Sequence, residues 1–167
     1  MEAHTFDMPS SKLLKSILFT ALVAGILDLA GAVVSYMISR GGGFPKKILE
    51  YIAGGWYGSA ALDGSLKMNI VGGISHFFIA TCWTALFYFL YPRLRFLQKS
   101  RLVSAILYGL VIWAVMNLAV LPLSAWNAPL RLMPFEAAKA AFILIVCVGL
   151  PVVVRTGSYY KSIQTGA

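Results

Sequence analysis

The stretch LLKSILFTALVAGILDLAGAVVSYMIS, residues 13–39, decides the fold of this chain. Only Lys15 and Asp28 carry a charge within it. A helix needs about 20 consecutive apolar residues to cross the hydrocarbon core of a bilayer. A secretory signal peptide is the rival interpretation, with Ala-Gly-Ala at residues 30–32 as the cleavage site, but the apolar residues continue past that point. The stretch therefore predicts a first transmembrane helix.

The composition of the whole chain also indicates a membrane protein. Of 167 residues, 59% are hydrophobic and 12% are charged, whereas soluble domains are roughly half apolar and about a quarter charged. A chain this short cannot bury that much apolar surface in a water-soluble core. The net charge of +8 comes from basic residues that flank apolar runs, where they meet lipid headgroups rather than nucleic acid. The sequence therefore predicts the lipid bilayer as a partner and excludes nucleic acid.

Three further apolar runs lie at about residues 68–91, 102–121 and 135–154. Prolines directly follow the first two of these runs, at Pro92 and Pro122, and are expected to end their helices. Each run is long enough to span a bilayer as a helix. We therefore predict an all-α membrane protein, a four-transmembrane-helix bundle in which the whole chain, residues 1–167, forms a single transmembrane domain.

A short interfacial or re-entrant helix is predicted between the first two spans, at about residues 45–58. The pattern of residues 46–53 is amphipathic. Its apolar side carries Ile48, Tyr51 and Ile52, and its polar side carries Lys46, Lys47 and Glu50. Such a helix lies in the plane of the membrane interface, and the Trp56-Tyr57 pair that follows is typical of headgroup depth.

The basic residues predict the orientation. With four spans, both termini share one side of the membrane with the loop at residues 92–101. That loop contains Arg93, Arg95, Lys99 and Arg101. Because short loops rich in Lys and Arg stay on the cytoplasmic side, we expect both termini in the cytoplasm.

Three polar residues inside the apolar runs are the candidate functional residues: Asp28, His76 and Asn117. Ionisable side chains inside a membrane are costly, and they tend to face the bundle interior and to mark function. At 1.5 Å per residue, Asp28 lies roughly 16 Å, His76 roughly 14 Å and Asn117 roughly 8 Å below the same membrane surface. We therefore predict an intramembrane polar cluster in one half of the bilayer. The candidate contributors around it are Asn69, Ser75, Glu136 and Lys139.

Small residues near Asp28 predict which helix faces meet. They recur at helical spacing on the Asp28 face, at Ala21, Gly25, Ala32 and Ser35. Small side chains permit the close approach of a neighbouring helix. We expect this face to pack against the face that carries His76. A buried carboxyl beside an imidazole would then form an ionised pair or share a proton.

Several roles fit such a cluster. Asp28 and His76 can hydrogen-bond across two helices and fix their register, form a proton- or ion-conducting relay, or line a pocket for a small ligand, lipid or pigment. A metal site is not predicted, because zinc takes three or four ligands and His76 is the only histidine within an apolar run. No catalytic residue is predicted, because no Ser or Cys stands beside a positioned base. The sequence does not identify a cofactor.

Several motifs resemble those of a known family. They are SHFFIA at residues 75–80, YPRL at 91–94, MNLAVLPLS at 116–124 and AGILD at 24–28. In these motifs the chain resembles a group of small bacterial inner-membrane proteins that is distantly similar to the YagU (DUF1440) family. The resemblance extends from about residue 21 to residue 124, and the chain departs from YagU between the first two helices. It implies a small polytopic protein of the bacterial inner (plasma) membrane, and it implies no substrate, cofactor or reaction.

Two hypotheses of function follow from these features. The first is a small membrane protein that conducts or binds an ion or small solute through the polar cluster. The alternative is an accessory or structural subunit of a larger membrane complex, which the small size of the chain favours. The second hypothesis predicts a membrane-protein partner, whereas a homo-oligomer would indicate that the protein acts by itself.

Overall fold

The computed structural model describes residues 11–39, 45, 47–127 and 133–165. Its helices are α1 (Ser11–Ser39), α2 (Ile48–Tyr57), α3 (Leu66–Leu90), α4 (Arg101–Leu123) and α5 (Pro134–Gln164). The four long helices, α1, α3, α4 and α5, are each long and apolar enough to cross a membrane. No strand occurs among the described residues, so the predicted all-α fold, with four long helices and a short helix after the first, is confirmed. Lys46, which we expected at the start of the short helix, lies outside the described residues.

The outer surface of the four long helices is apolar. Leu18 on α1 and Ile74 on α3 are 50% and 67% exposed, and Leu102 on α4 and Phe142 on α5 are 60% and 65% exposed. Leaving one such side chain in water rather than in an apolar environment costs about 1.5–3 kcal/mol. The protein is therefore a multi-pass membrane protein, and these side chains contact the lipid bilayer.

Two helices contain a proline close to their predicted ends. We expected α4 to end before Pro122 and α5 to end near residue 154. The structure ends α4 at Leu123, one residue past Pro122, whereas α5 passes Pro151 and continues to Gln164. The end of α4 therefore lies close to its predicted position, and the prediction for the end of α5 is wrong.

A π-helical stretch precedes each of these prolines, at Met116–Val120 in α4 and at Leu144–Gly149 in α5. A proline has no backbone N–H, and its ring crowds the carbonyl four residues earlier. Those carbonyls belong to Leu118 and Cys147, which lie inside the two π-helical stretches. The wider π turn accommodates the proline without breaking the helix.

One half of the bundle, near the ends Ser11, Leu90, Arg101 and Gln164, is closely packed. Its buried core contains Ala24, Phe87, Leu97, Ala105, Tyr108, Ile112, Val148, Val152 and Val153. The hydroxyl of the buried Tyr88 lies 2.8 Å from Ser16 Oγ on α1, and Tyr160 on α5 donates a hydrogen bond of 2.9 Å to the Tyr88 carbonyl. We call this part of the bundle the closed half.

Glycines on α1 allow its neighbours to approach closely. A Cβ atom at Gly25 would lie 2.8 Å from the ring of Phe77 on α3. A Cβ atom at Gly31 would lie 2.8 Å from the Ile143 side chain on α5. Both distances are too short for carbon atoms, so any larger residue would push the helices apart. As a result, α1 lies between α3 and α5 in direct contact with both.

The short helix α2 packs its backbone against α3. The carbonyl group of Leu49 rests on Gly72, where a Cβ atom would overlap it. This backbone contact buries Glu50, which is 2% exposed, and leaves Tyr51 56% exposed. Glu50 Oε1 accepts a hydrogen bond of 3.4 Å from Asn69 Nδ2. Glu50, which the amphipathic pattern placed on the polar side, therefore packs against α3, because the backbone contact with α3 sets the rotation of the helix.

The contact between Leu49 and Gly72 predicts a matched pair of substitutions on α3. Gly72→Ala should lower the free energy of unfolding by about 1–3 kcal/mol, because the added methyl group overpacks a tight backbone contact. Gly73→Ala adds the same group where no atom lies within 4 Å, and it should be neutral or slightly stabilising because Ala favours helix. Thermal unfolding of the two purified variants in detergent checks this prediction. Equal stability of the two variants would contradict the packing of α2 on Gly72.

Candidate functional site

Asp28 lies midway along α1 and borders three cavities, of which the two larger ones lie outside the closed half. The carboxyl group is partly buried, and it forms no hydrogen bond or ion pair with a described residue. A charged carboxylate in such a setting is unstable unless a cation or a proton neutralises it. The position of Asp28 therefore defines the candidate site.

The first cavity has a volume of about 760 Å³ and lies between α1, α2, α3 and the end of α4. Its polar and aromatic lining consists of Asp28, His76, Tyr51, Trp56 and Trp126, and the rest of its wall is mainly aliphatic. We call this cavity the aromatic cleft. Its volume is within the range of pockets that hold drug-sized ligands, about 300–1,000 Å³.

The second cavity has a volume of about 790 Å³ and lies between α1, α4 and α5. Its polar lining consists of Asp28, Ser35, Ser39, Asn117 and Glu136. We call this cavity the polar cleft. The two clefts meet at Asp28, Ala32 and Met116, which line both of them.

A third, smaller cavity of about 140 Å³ continues inward from Asp28 and His76. It is lined by Trp83, Ile112 and Val148, among others, and the last two belong to the core of the closed half. Among the described residues that line the three cavities, none is Lys or Arg. The cavities therefore carry acidic side chains in a chain with a net charge of +8.

His76 reaches α1 at a different atom from the one we expected. Its Nε2 lies 2.9 Å from the carbonyl oxygen of Gly25. Because a carbonyl can only accept, Nε2 carries the proton and donates to it. The Gly25 face of α1 thus packs against the His76 face of α3, but the anticipated hydrogen bond between His76 and Asp28 is not formed. His76 fixes the register of α1 and α3 through the backbone, and Asp28 is left to face the cavities.

Asn117 shares the polar cleft with Asp28 and Glu136, in the same half of the bundle. Its Nδ2 donates a hydrogen bond of 2.8 Å to the Trp113 carbonyl in the preceding turn. The side-chain oxygen remains as an acceptor for the cleft. The structure therefore places Asp28 and His76 in the lining of the aromatic cleft, and Asp28 and Asn117 in the lining of the polar cleft without a direct hydrogen bond between them.

The other candidate contributors, except Glu136, lie outside the three cavities. Ser75 is buried and accepts a hydrogen bond of 3.0 Å from Trp56 Nε1, and Asn69 binds Glu50. Lys139 lies 2.9 Å from Glu136 Oε2 and donates a hydrogen bond of 2.6 Å to Ser39 Oγ. These groups hold the walls of the clefts in place.

Trp126 forms a wall of the aromatic cleft that the sequence did not predict. Its indole stacks on Tyr51 with ring centroids 5.7 Å apart, and its Nε1 donates a hydrogen bond of 3.0 Å to the Tyr51 carbonyl. The neighbouring Ala125 N–H donates a hydrogen bond of 2.9 Å to the Gly55 carbonyl. Because Tyr51 and Trp126 are far apart in the chain, no local pattern could pair them.

Cysteine and metal chemistry have little basis at this site. Cys82 is exposed on the outside of α3, and Cys147 on α5 is partly buried. The described part of the chain contains no group of three or more His, Cys, Asp or Glu side chains that could hold a metal ion.

Comparison with protein-family models, with curated proteins and with solved structures gives no match for this chain. The interpretation of the site therefore depends on its own geometry.

The contact between Trp126 and Gly54 predicts a second matched pair. A Cβ atom at Gly54 would overlap the indole ring of Trp126. A Cβ atom at Gly55 would have no other atom of the described structure within 4 Å. Gly54→Ala should displace Trp126 and widen the aromatic cleft, and Gly55→Ala should not. The measurement is the rate at which a water-soluble maleimide labels Ile79→Cys, a residue of the cleft wall, in a background without Cys82 and Cys147. Similar labelling rates in the two variants would contradict the role of Trp126 as a wall.

Proposed function

We propose that the protein binds a small solute in the aromatic cleft, with Asp28 as the group that recognises it. The observation that carries this proposal is the carboxyl group of Asp28, which has no described hydrogen-bond or ion-pair partner and lies where two large clefts meet. A purely structural carboxyl would be hydrogen-bonded to a neighbouring helix, because an unpaired polar group in hydrocarbon is costly. An unpaired carboxyl group that borders a ligand-sized cavity can instead form a hydrogen bond or an ion pair with a bound molecule.

Binding is favoured over conduction by the asymmetry of the bundle. Both clefts lie on the side of α2 and of the Ser39 end of α1. In the closed half, Phe87, Tyr88, Val152 and Val153 are fully or almost fully buried. A continuous pathway would have to pass through this packed core, so the described conformation supports a site open to one half of the bilayer.

A proton or ion relay is the second candidate function, and the polar cleft favours it. Asn117, Ser35 and Glu136 lie along this cleft together with Asp28. Hydroxyl, amide and carboxyl groups can pass a proton along a chain of hydrogen bonds and water. Such a relay would deliver protons to Asp28 from one side of the membrane.

We further propose that the protein resides in the bacterial inner membrane with both termini in the cytoplasm. The resemblance to the YagU (DUF1440) group and the basic loop at residues 92–101 support this orientation. The clefts would then open toward the extracytoplasmic half of the bilayer. An accessory subunit of a larger membrane complex is the alternative role, in which a partner or a second copy of the chain would cover the clefts.

The decisive variant is Asp28→Asn, which removes the charge and keeps the shape. Wild-type protein that is extracted gently from its own membranes should retain a bound small molecule. The Asp28→Asn variant, extracted in the same way, should lack it. Mass spectrometry of the co-purified small molecules and chains is the measurement. Wild-type protein that carries stoichiometric partner chains and no small molecule would favour the accessory-subunit role instead.

Asp63→Asn is the matched control, because Asp63 is an exposed carboxyl outside the cavities. Hydrogen bonds from the hydroxyl and the backbone N–H of Ser65 hold the pKa of Asp63 below its ordinary value, so it is ionised at neutral pH. Its removal changes the net charge as Asp28→Asn does. Ligand content should therefore be unchanged in Asp63→Asn, and an equal loss in both variants would indicate a general effect of charge.

A further inference from the structure

We propose that the ligand of the aromatic cleft is an organic cation with an apolar body, and that it competes with a proton for Asp28. This inference rests on the proposed binding function and specifies the class of ligand. Three properties of the cleft support it: its charge, its aromatic rings and its apolar walls.

The charge of the cavities is acidic. Asp28 lines all three cavities and Glu136 lines the polar cleft, and no Lys or Arg is among their described lining residues. The nearby ammonium of Lys139 is already held by Glu136 and Ser39. A ligand with a positive charge would therefore supply an ionic partner for Asp28, whereas an anion would face a carboxylate with no described Lys or Arg side chain in the cavity lining to offset it.

The aromatic rings of the cleft match the same class of ligand. Tyr51 and Trp126 form a stacked pair, and Trp56 is on the same wall. The faces of tyrosine and tryptophan rings attract cations, most strongly where water is excluded. A quaternary or protonated amine can contact such a ring and a carboxylate at the same time.

The remaining wall explains why the cation would carry an apolar body. Ile52, Ile79, Val120 and Leu121 line the cleft, and their surface gains stability by contact with apolar groups. A bare metal ion would leave this surface unfilled, and the donor set around Asp28 has no metal-binding geometry in the described residues. A molecule that partitions into the bilayer would also reach the cleft from the lipid.

Proton competition follows from the setting of Asp28. In the proposed competition, the Asp28 carboxyl carries a proton when no ligand is bound. When a cation binds, the O–H bond breaks, the proton leaves to water and the carboxylate pairs with the cation. The described titratable groups that line a cavity together with Asp28 are His76 from α3, Tyr51 from α2, Tyr36 from α1 and Glu136 from α5. Cys147 on α5 also interacts electrostatically with Asp28. From α4, the residues near Asp28 include Asn117 and Met116, which do not titrate.

The test uses two probes of nearly the same size and shape and of opposite charge, tetraphenylphosphonium and tetraphenylborate. Equilibrium dialysis of each probe against the purified protein in detergent, with empty micelles as the blank, measures binding. The wild type and Asp63→Asn should bind the phosphonium and not the borate. Asp28→Asn should lower phosphonium affinity by more than about tenfold, because one partner of a desolvated charge pair is lost. Asp28→Glu, which keeps the carboxyl group, should retain most of the affinity for the phosphonium. Binding by this variant would also show that the bundle tolerates substitution at this position.

Equal binding of the two probes, or phosphonium binding that Asp28→Asn leaves unchanged, would overturn the inference. So would the absence of phosphonium binding to the wild type. In each case a native small molecule that is lost in Asp28→Asn would leave the proposed binding function intact, so the two proposals fail separately.

Competition between the cation and a proton for Asp28 predicts that cation binding releases a proton. Adding tetraphenylphosphonium to wild-type protein in weak buffer near neutral pH should release up to one proton per bound cation, recorded with a pH indicator. His76→Gln removes the titration of the imidazole and keeps a donor for the Gly25 carbonyl. Release that persists in His76→Gln and disappears in Asp28→Asn assigns the proton to Asp28. Release that disappears in His76→Gln, or a cation that binds without release, would refute the proton competition.

Discussion

The close contact of α1 with α3 at Gly25 is the interaction on which the candidate site depends. A hydrogen atom is the only side chain that fits against the Phe77 ring at this point, and the resulting approach brings His76 Nε2 within 2.9 Å of the Gly25 carbonyl. The imidazole is thereby committed to the backbone. Asp28, less than one turn further along α1, is left without that partner and faces the cavities.

The two halves of the bundle differ because their residues pack differently. In the closed half, small residues and tyrosines fill the space between helices, and hydroxyl groups such as those of Tyr88 and Tyr160 find partners on neighbouring helices. In the other half, α2 is seated on α3 at Gly72, and α4 and α5 widen into π turns before their prolines. These irregular elements surround the clefts, and π turns are often found next to functional sites. The same chain therefore combines a stable packed core with space for a ligand.

Much of this organisation could be predicted from the sequence by depth alone. Counting residues from the ends of the apolar runs placed Asp28, His76 and Asn117 in one half of the bilayer, because a helix rises by a fixed distance per residue. The identity of the partners could not be predicted in this way. His76 binds a backbone carbonyl, which no pattern of side chains predicts. Glu50 is buried against α3, although the amphipathic pattern placed it on the polar side of its helix.

The sequence by itself determined that this is a helical membrane protein with four long apolar helices, because apolar runs of this length have one stable arrangement in hydrocarbon, in which each backbone hydrogen bond is satisfied within its own helix. It also identified Asp28, His76 and Asn117 as polar residues within the apolar runs. Only the tertiary structure decided that Asp28 would stand at the junction of two clefts, and that Tyr51 and Trp126 would form a wall beside it. The physical reason is that cavities and ring contacts arise from the closest approach of helices distant in sequence, which depends on single glycines and on the rotation of α2.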